Sequence, residues 1–133
     1  LEGIIRTVVE QREGAVIYHC SAGKDRAGVI SALLLRLLGA EDSAIYADYL
    51  YTNTALSHEL EEAQSAALAL SGDERAANYV LGFFAACPCW LAAALDTLDK
   101  RFYSIEGYIA QMTKVAGWEA EEFKKICIEK SPD

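Results

Sequence analysis

Residues 16–29 read "VIYHCSAGKDRAGV". Residues 15–19, "AVIYH", are short, apolar and partly β-branched, as in a buried strand. A polar loop carrying Gly23, Lys24, Asp25 and Arg26 follows. Residues 26–38 then present apolar side chains nearly all round, the pattern of a central helix, with Gly39 as its C-cap. Strand, loop and helix in this order put Cys20 at the carboxyl end of a strand and Arg26 at the start of a helix. Ligands of open α/β folds bind at that place. The fold class expected is therefore α/β, mostly helical, with one evident central strand at 15–19.

On either side of this unit the chain reads as helices. Ile4, Ile5, Val8 and Val9 recur at helical spacing within 2–12. Downstream, helices are expected over 42–52, 56–70, 75–86, 89–103, 104–117 and 119–129. Acidic Glu59, Glu61 and Glu62 mark a wet face. "SGDE" at 71–74 punctuates and offers a cap, Pro88 breaks the chain, and Ser104 caps the helix after it. A doubly buried strand needs neighbours for its N–H and C=O groups, and only one strand is evident. Its sheet partners are expected from an N-terminal half of the same domain outside these residues, or from strand exchange with a second copy. The 133 residues are read as a single domain, the C-terminal part of a larger one.

Composition narrows the function. The chain is 53% hydrophobic and 24% charged, which is globular and without low-complexity stretches. A net charge of −8 demotes nucleic-acid binding, so no nucleic-acid partner is expected. An acidic chain that handles an anion must build its attraction locally, from a few cations and oriented backbone N–H groups. No stretch approaches the roughly 18 apolar residues of a membrane span, so no stable membrane insertion is expected. Cys20, Cys87, Cys89 and Cys127 fit no zinc spacing, and neither a metal nor a cofactor is expected. Cys87, Cys89 and Cys127 are read as packing residues. Trp90 and Trp118 are read as core, His58 and Arg75 as surface. Tyr46, Tyr49, Tyr51 and Asn53 either pack under the loop or line a pocket.

The chemistry follows from the loop. A helix N-terminus offers free N–H donors and partial positive charge. If the loop curls, its N–H groups point inward as an anion nest, and Gly23 permits the bend. Such surroundings lower a thiol pKa from about 8.5 into the range of roughly 3.5–7.5. Cys20 would then be a thiolate at neutral pH. The planar fork of Arg26 can hold two oxygens of a tetrahedral phosphate, with the phosphorus in line with the sulfur. Lys24 adds a second cation at the rim. This constellation describes nucleophilic attack on a phosphate monoester through a cysteinyl-phosphate.

His19-Cys20-Ser21-Ala22-Gly23-Lys24-Asp25-Arg26 also matches the Cys-x5-Arg signature of protein tyrosine phosphatases. More narrowly, "HCSAGKDRAG" resembles the HCxAGKDRTG loop of the bacterial tyrosine/serine phosphatase family. "DYLYTN" (48–53) resembles that family's DYL-x-SN segment, and "LDTLDKRFYSIEGYI" (95–109) its helix, turn and following helix. The resemblance covers most of the chain and implies the C-terminal half of a cysteine-phosphatase-like α/β fold. It implies Cys20 as nucleophile, Arg26 as phosphate ligand, and Ser21, Ala22, Gly23, Lys24, Asp25 and Arg26 as the substrate-binding cradle. Asp25 is either a residue held by the helix dipole or an aid to proton transfer. His19 either orients the loop and tunes the thiol or is a satisfied core histidine. The implied substrate is a phosphorylated protein or a phosphoinositide: phosphotyrosine first, with phosphoserine, phosphothreonine and phosphoinositides as further substrates. The expected location is the cytoplasm, with secretion as the other reading.

Two positions depart from the family pattern. Ala27 stands where a Thr or Ser hydroxyl helps sulfur leave during phosphoenzyme hydrolysis. The usual general-acid Asp lies well upstream of the nucleophile, whereas the nineteen residues before Cys20 contain no Asp. Glu2, Glu10 and Glu13 are read as solvated surface. A non-catalytic phosphate-binding module is thus the alternative to a phosphatase. Sulfur chemistry of the arsenate-reductase or rhodanese kind is a third reading, against which the Gly-Lys-Asp-Arg string argues.

Overall fold

The computed structural model describes residues 1–11 and 14–128. Among them the chain forms eight helices: α1 (Glu2–Gln11), α2 (Asp25–Leu37), α3 (Asp42–Ala55), α4 (Ser57–Ser71), α5 (Glu74–Phe84), α6 (Pro88–Phe102), α7 (Ile105–Met112) and α8 (Gly117–Cys127). Their limits follow from local chemistry. The Asp73 carboxylate accepts the Arg75 N–H at 2.9 Å and starts α5. Pro88 takes the first turn of α6, where a missing N–H costs nothing. Ser104 Oγ accepts the Gly107 N–H at 3.1 Å and starts α7.

The core forms where apolar stripes meet. α2 buries Ala32, Leu33, Leu34 and Leu37. Around them lie Ile5 and Val9 of α1, Ile45 and Tyr49 of α3, Leu91, Leu95 and Leu98 of α6, Ile105 and Ile109 of α7, and Phe123 of α8. Two arginines fasten the outside of this bundle. Arg36 of α2 reaches Asp99 of α6 at 2.7 Å and Asp42 of α3 at 3.3 Å. Arg6 of α1 bonds Glu2 at 2.7 Å, Glu119 of α8 at 3.1 Å, and the Lys114 carbonyl. Glu2 in turn accepts the Lys114 N–H at 3.0 Å, so it clasps α1 to the segment before α8. Helices α4 and α5 stand apart: α4 buries no side chain and α5 only Ala77. No single described helix is long and apolar enough to cross a membrane.

The expected α/β class with a central strand is overturned. Residues 15–20 have no regular secondary structure and belong to no sheet, and no strand occurs among the described residues. Strand pairing needs a second backbone, and the described residues bring none alongside. Ile17, expected inside, is 87% exposed. The segment is held instead by a side chain: Tyr18 Oη and Ser31 Oγ of α2 lie 2.7 Å apart. Helix periodicity served well from α1 to α6. The helix expected over 104–117 splits, ending at Met112, with Gly117 opening α8. Residues 12, 13 and 129, where two expected helices end and Glu13 sits, lie outside the described residues. Trp90 and Trp118, expected in the core, are exposed. The expected packing cysteines also differ: Cys87 and Cys89 are joined in a disulfide, and Cys127 is an exposed free thiol.

A split between the core and the α4–α5 pair follows. Leu91→Ala, at a fully buried side chain, is expected to lower unfolding free energy by about 2–5 kcal/mol. Leu70→Ala, at 90% exposure on α4, is expected to stay within about 0.5 kcal/mol. Urea unfolding followed by circular dichroism measures both, and equal losses would contradict this packing.

Candidate active site

The segment 15–20 delivers Cys20 to a tight loop, Ser21–Lys24, that runs straight into α2. Gly23 turns it with φ +67°, a conformation that costs a residue with a Cβ. The loop wraps the half-buried sulfur with N–H groups. The backbone N–H of Ala27 has the largest effect, and it holds the Cys20 thiol below its usual range. Partial burial opposes it; the N–H groups of Gly23 and Ala22 and the charge of Arg26 add to it.

The predicted residues divide into two sets. Ser21, Ala22, Gly23 and Arg26 face solvent at the mouth, and the Arg26 guanidinium lies 3.5 Å from Ser21 Oγ. Lys24 does not sit at the rim. Its side chain turns inward and is buried, with Nζ donating to the Phe83 carbonyl at 2.7 Å and the Ala85 carbonyl at 3.3 Å. The same ammonium lies 3.6 Å from Asp25 and 5.4 Å from the centre of the Trp90 ring. Asp25 occupies the first turn of α2, where the helix dipole favours a carboxylate. His19 is exposed, with Nδ1 3.3 Å from the Cys20 carbonyl. Ala27 is buried.

Tyr49 packs under the start of α2. A Cβ on Gly28 would fall 2.7 Å from its ring, so glycine is what lets α3 come this close. Burial, with Asp25 adding, holds the Tyr49 phenol above its usual range, while a hydrogen bond to the Cys87 backbone works the other way. Asn53 instead grips the turn before α6. Its Nδ2 donates to the Ala86 carbonyl at 3.0 Å and its Oδ1 accepts the Ala86 N–H at 2.6 Å.

Two hollows flank the loop. One of about 310 Å³ lies between the loop and α3 and includes Ser31, Asp48, Tyr51 and Thr52. The other, of about 250 Å³, is largely apolar and lies against Leu56, Leu60, Phe83 and Phe84. Sequence reasoning missed the role of residues 83–90 in seating Lys24. No local motif marks a carbonyl as the partner of a distant ammonium. Among the described residues, no three His, Cys, Asp or Glu side chains converge as a metal site.

The thiolate is directly testable. Iodoacetamide should alkylate Cys20 with a rate that rises through an apparent pKa below the value of about 8.5 for a free thiol. Because Ala27 N–H leads and Arg26 contributes less, Arg26→Ala should leave the larger part of this depression in place. A rate profile matching that of exposed Cys127 would contradict the cradle.

Known proteins carry the same pattern. The chain is 34% identical over 105 residues to the triple specificity protein phosphatase PtpB of Mycobacterium tuberculosis, a match covering 71% of this chain and 37% of that protein. It is 44% identical over 46 residues to a tyrosine-protein phosphatase of Nostoc commune, covering 35% of this chain and 16% of that protein. The chain thus spans less than two fifths of the length of either relative. A model of the tyrosine phosphatase family matches residues 1–129, nearly the whole chain and the Cys20–Arg26 loop with it, and this protein belongs to that family.

Proposed function

We propose that the loop hydrolyses phosphate monoesters by covalent catalysis on Cys20. One observation carries this reading: backbone N–H groups of Ala22, Gly23 and Ala27, with Arg26, act on the Cys20 sulfur. The thiolate attacks phosphorus in line with the ester oxygen. The P–S bond forms, the P–O ester bond breaks, and the leaving oxygen takes a proton. Water then attacks phosphorus, the P–S bond breaks, and inorganic phosphate leaves with Cys20 again a thiolate. The N–H groups and Arg26 meet the equatorial oxygens, whose charge they stabilise in both transition states.

The substrate class is a phosphorylated protein or a phosphoinositide, phosphotyrosine first. The name of the M. tuberculosis relative, a triple specificity protein phosphatase, supports a site that accepts more than one such ester. The proton donor for the leaving oxygen comes from outside these residues, from a further segment of the same domain or a second copy. General-acid help is worth about 10²–10⁴ in rate, so the 133 residues alone turn over slowly. A second reading, a phosphate-binding module without turnover, rests on buried Ala27, which offers no hydroxyl to the departing sulfur.

An aryl phosphate assay separates the two. With wild-type protein a burst of phenol, one per site, should precede a slow steady state, and Cys20→Ser should remove both phases. Ala27→Thr should raise the steady-state rate while leaving the burst amplitude unchanged. Absence of any burst, or activity surviving Cys20→Ser, would overturn the covalent mechanism.

A further inference from the structure

The turn that holds Lys24 carries a disulfide of its own. Cys87 is the N-cap of α6, Pro88 its first residue, and Cys89 follows one residue later, bonded back to Cys87. As a staple for the whole fold this cross-link does little, because the entropy gained by closing a loop is least for the shortest loops; its effect falls on the turn itself, which it closes around Pro88. As a redox site it is well placed. Cys89 is exposed to an attacking thiol while Cys87 is half-buried. A thiolate released at a helix N-terminus is stabilised by the N–H groups and dipole there, which makes it a good leaving group.

The same turn is tied to the loop and to α3 by three side chains. Lys24 donates to the carbonyls of Phe83 and Ala85. Asn53 of α3 holds both backbone groups of Ala86. Tyr49, packed under Gly28, hydrogen-bonds the Cys87 backbone. The pair of sulfurs therefore sits two residues from a carbonyl that keeps the loop's second cation out of the anion site.

We infer that Cys87 and Cys89 form a thiol–disulfide exchange site whose redox state decides whether Lys24 serves the phosphate-binding loop. This rests on the reading of that loop as a phosphate site. The reductant is a small dithiol or a dithiol protein. One of its thiolates attacks Cys89 Sγ, the Cys87–Cys89 bond breaks, and Cys87 leaves as a thiolate that takes a proton. The second thiol of the reductant then attacks the mixed disulfide and frees Cys89. Two electrons and two protons have moved to the protein, and the reductant carries the new disulfide. In the oxidised form the turn keeps its carbonyls on the ammonium. Reduction opens the turn and returns Lys24 to the loop, where its charge meets the bound anion.

The test uses the full chain with Cys20→Ser and Cys127→Ser, which leaves Cys87 and Cys89 as its only sulfurs of cysteine. Binding of inorganic phosphate is measured by calorimetry before and after treatment with dithiothreitol. Affinity should rise roughly tenfold on reduction, the worth of one charge-assisted hydrogen bond. The rise should vanish with Cys87→Ala/Cys89→Ala added, and with Lys24→Met added. Amide NMR shifts of Gly23, Lys24 and Ala27, recorded without phosphate, should also move on reduction. Equal affinity in both redox states, or a rise that survives Cys87→Ala/Cys89→Ala, would overturn the inference. If phosphate fails to bind in either state, the reading of the loop falls. The amide shifts then decide the switch by themselves, and unmoved shifts would overturn it.

Discussion

A sulfur anion in a molecule of net charge −8 exists only where nearby groups outweigh the general repulsion. Here three backbone N–H groups and one guanidinium draw the Cys20 thiol below its usual range, against the opposing effect of partial burial. Backbone donors suit the task because they are fixed in place by the chain itself and need no reorganisation when a phosphate arrives. Their direction depends on the path of residues 20–27, and that path depends on what lies beneath. Tyr18 ties the approach to Ser31, Gly23 supplies the turn, and the bare Gly28 lets Tyr49 press against the start of α2. The bundle core below, centred on Leu37, Ile45 and Leu91, keeps α2 and α3 from shifting.

The two cations of the loop have opposite surroundings. Arg26 faces solvent and can approach an anion with two N–H donors. Lys24 is buried with its charge spread over two carbonyls, Asp25 and the Trp90 ring. A buried ammonium is tolerated only when its donors are met, and the turn between α5 and α6 meets them. That turn is thus part of the loop's support although about sixty residues separate them in sequence. It also brings Phe83 and Phe84 to the loop's edge, which gives one wall beside the site an aromatic character.

The loop's position was legible in the sequence: a thiol, a glycine and an arginine between an apolar run and an apolar helix. Helix positions were legible too, because burial repeats every three to four residues from Ile5 to Leu98. The strand was not, since a strand exists only through its neighbours and residues 15–20 meet none among the described residues. Apolar character alone made "AVIYH" look buried, yet Ile17 projects outward. Trp90 misled for a related reason: its ring serves the Lys24 ammonium rather than the core. The pairing of Cys87 with Cys89 could not be separated from ordinary packing by spacing alone. Lys24 shows the limit most clearly, because a lysine in an anion-binding loop gives no sign in sequence that a distant carbonyl has claimed it.

Ala27 ties these threads together. The N–H of this residue has the largest effect on the Cys20 thiol, and a backbone N–H is present whatever side chain the position carries. Replacing a hydroxyl residue with alanine there therefore leaves activation of the sulfur intact. On the proposed mechanism, what the position loses is a donor to the sulfur as it departs from phosphorus in the second step. Formation and breakdown of the proposed P–S bond would draw on different atoms of one residue, one on its backbone and the other on its side chain. On the mechanism proposed above, a chain with alanine at this place keeps the first and slows the second, so the covalent intermediate rather than the free enzyme would be the resting form while substrate lasts.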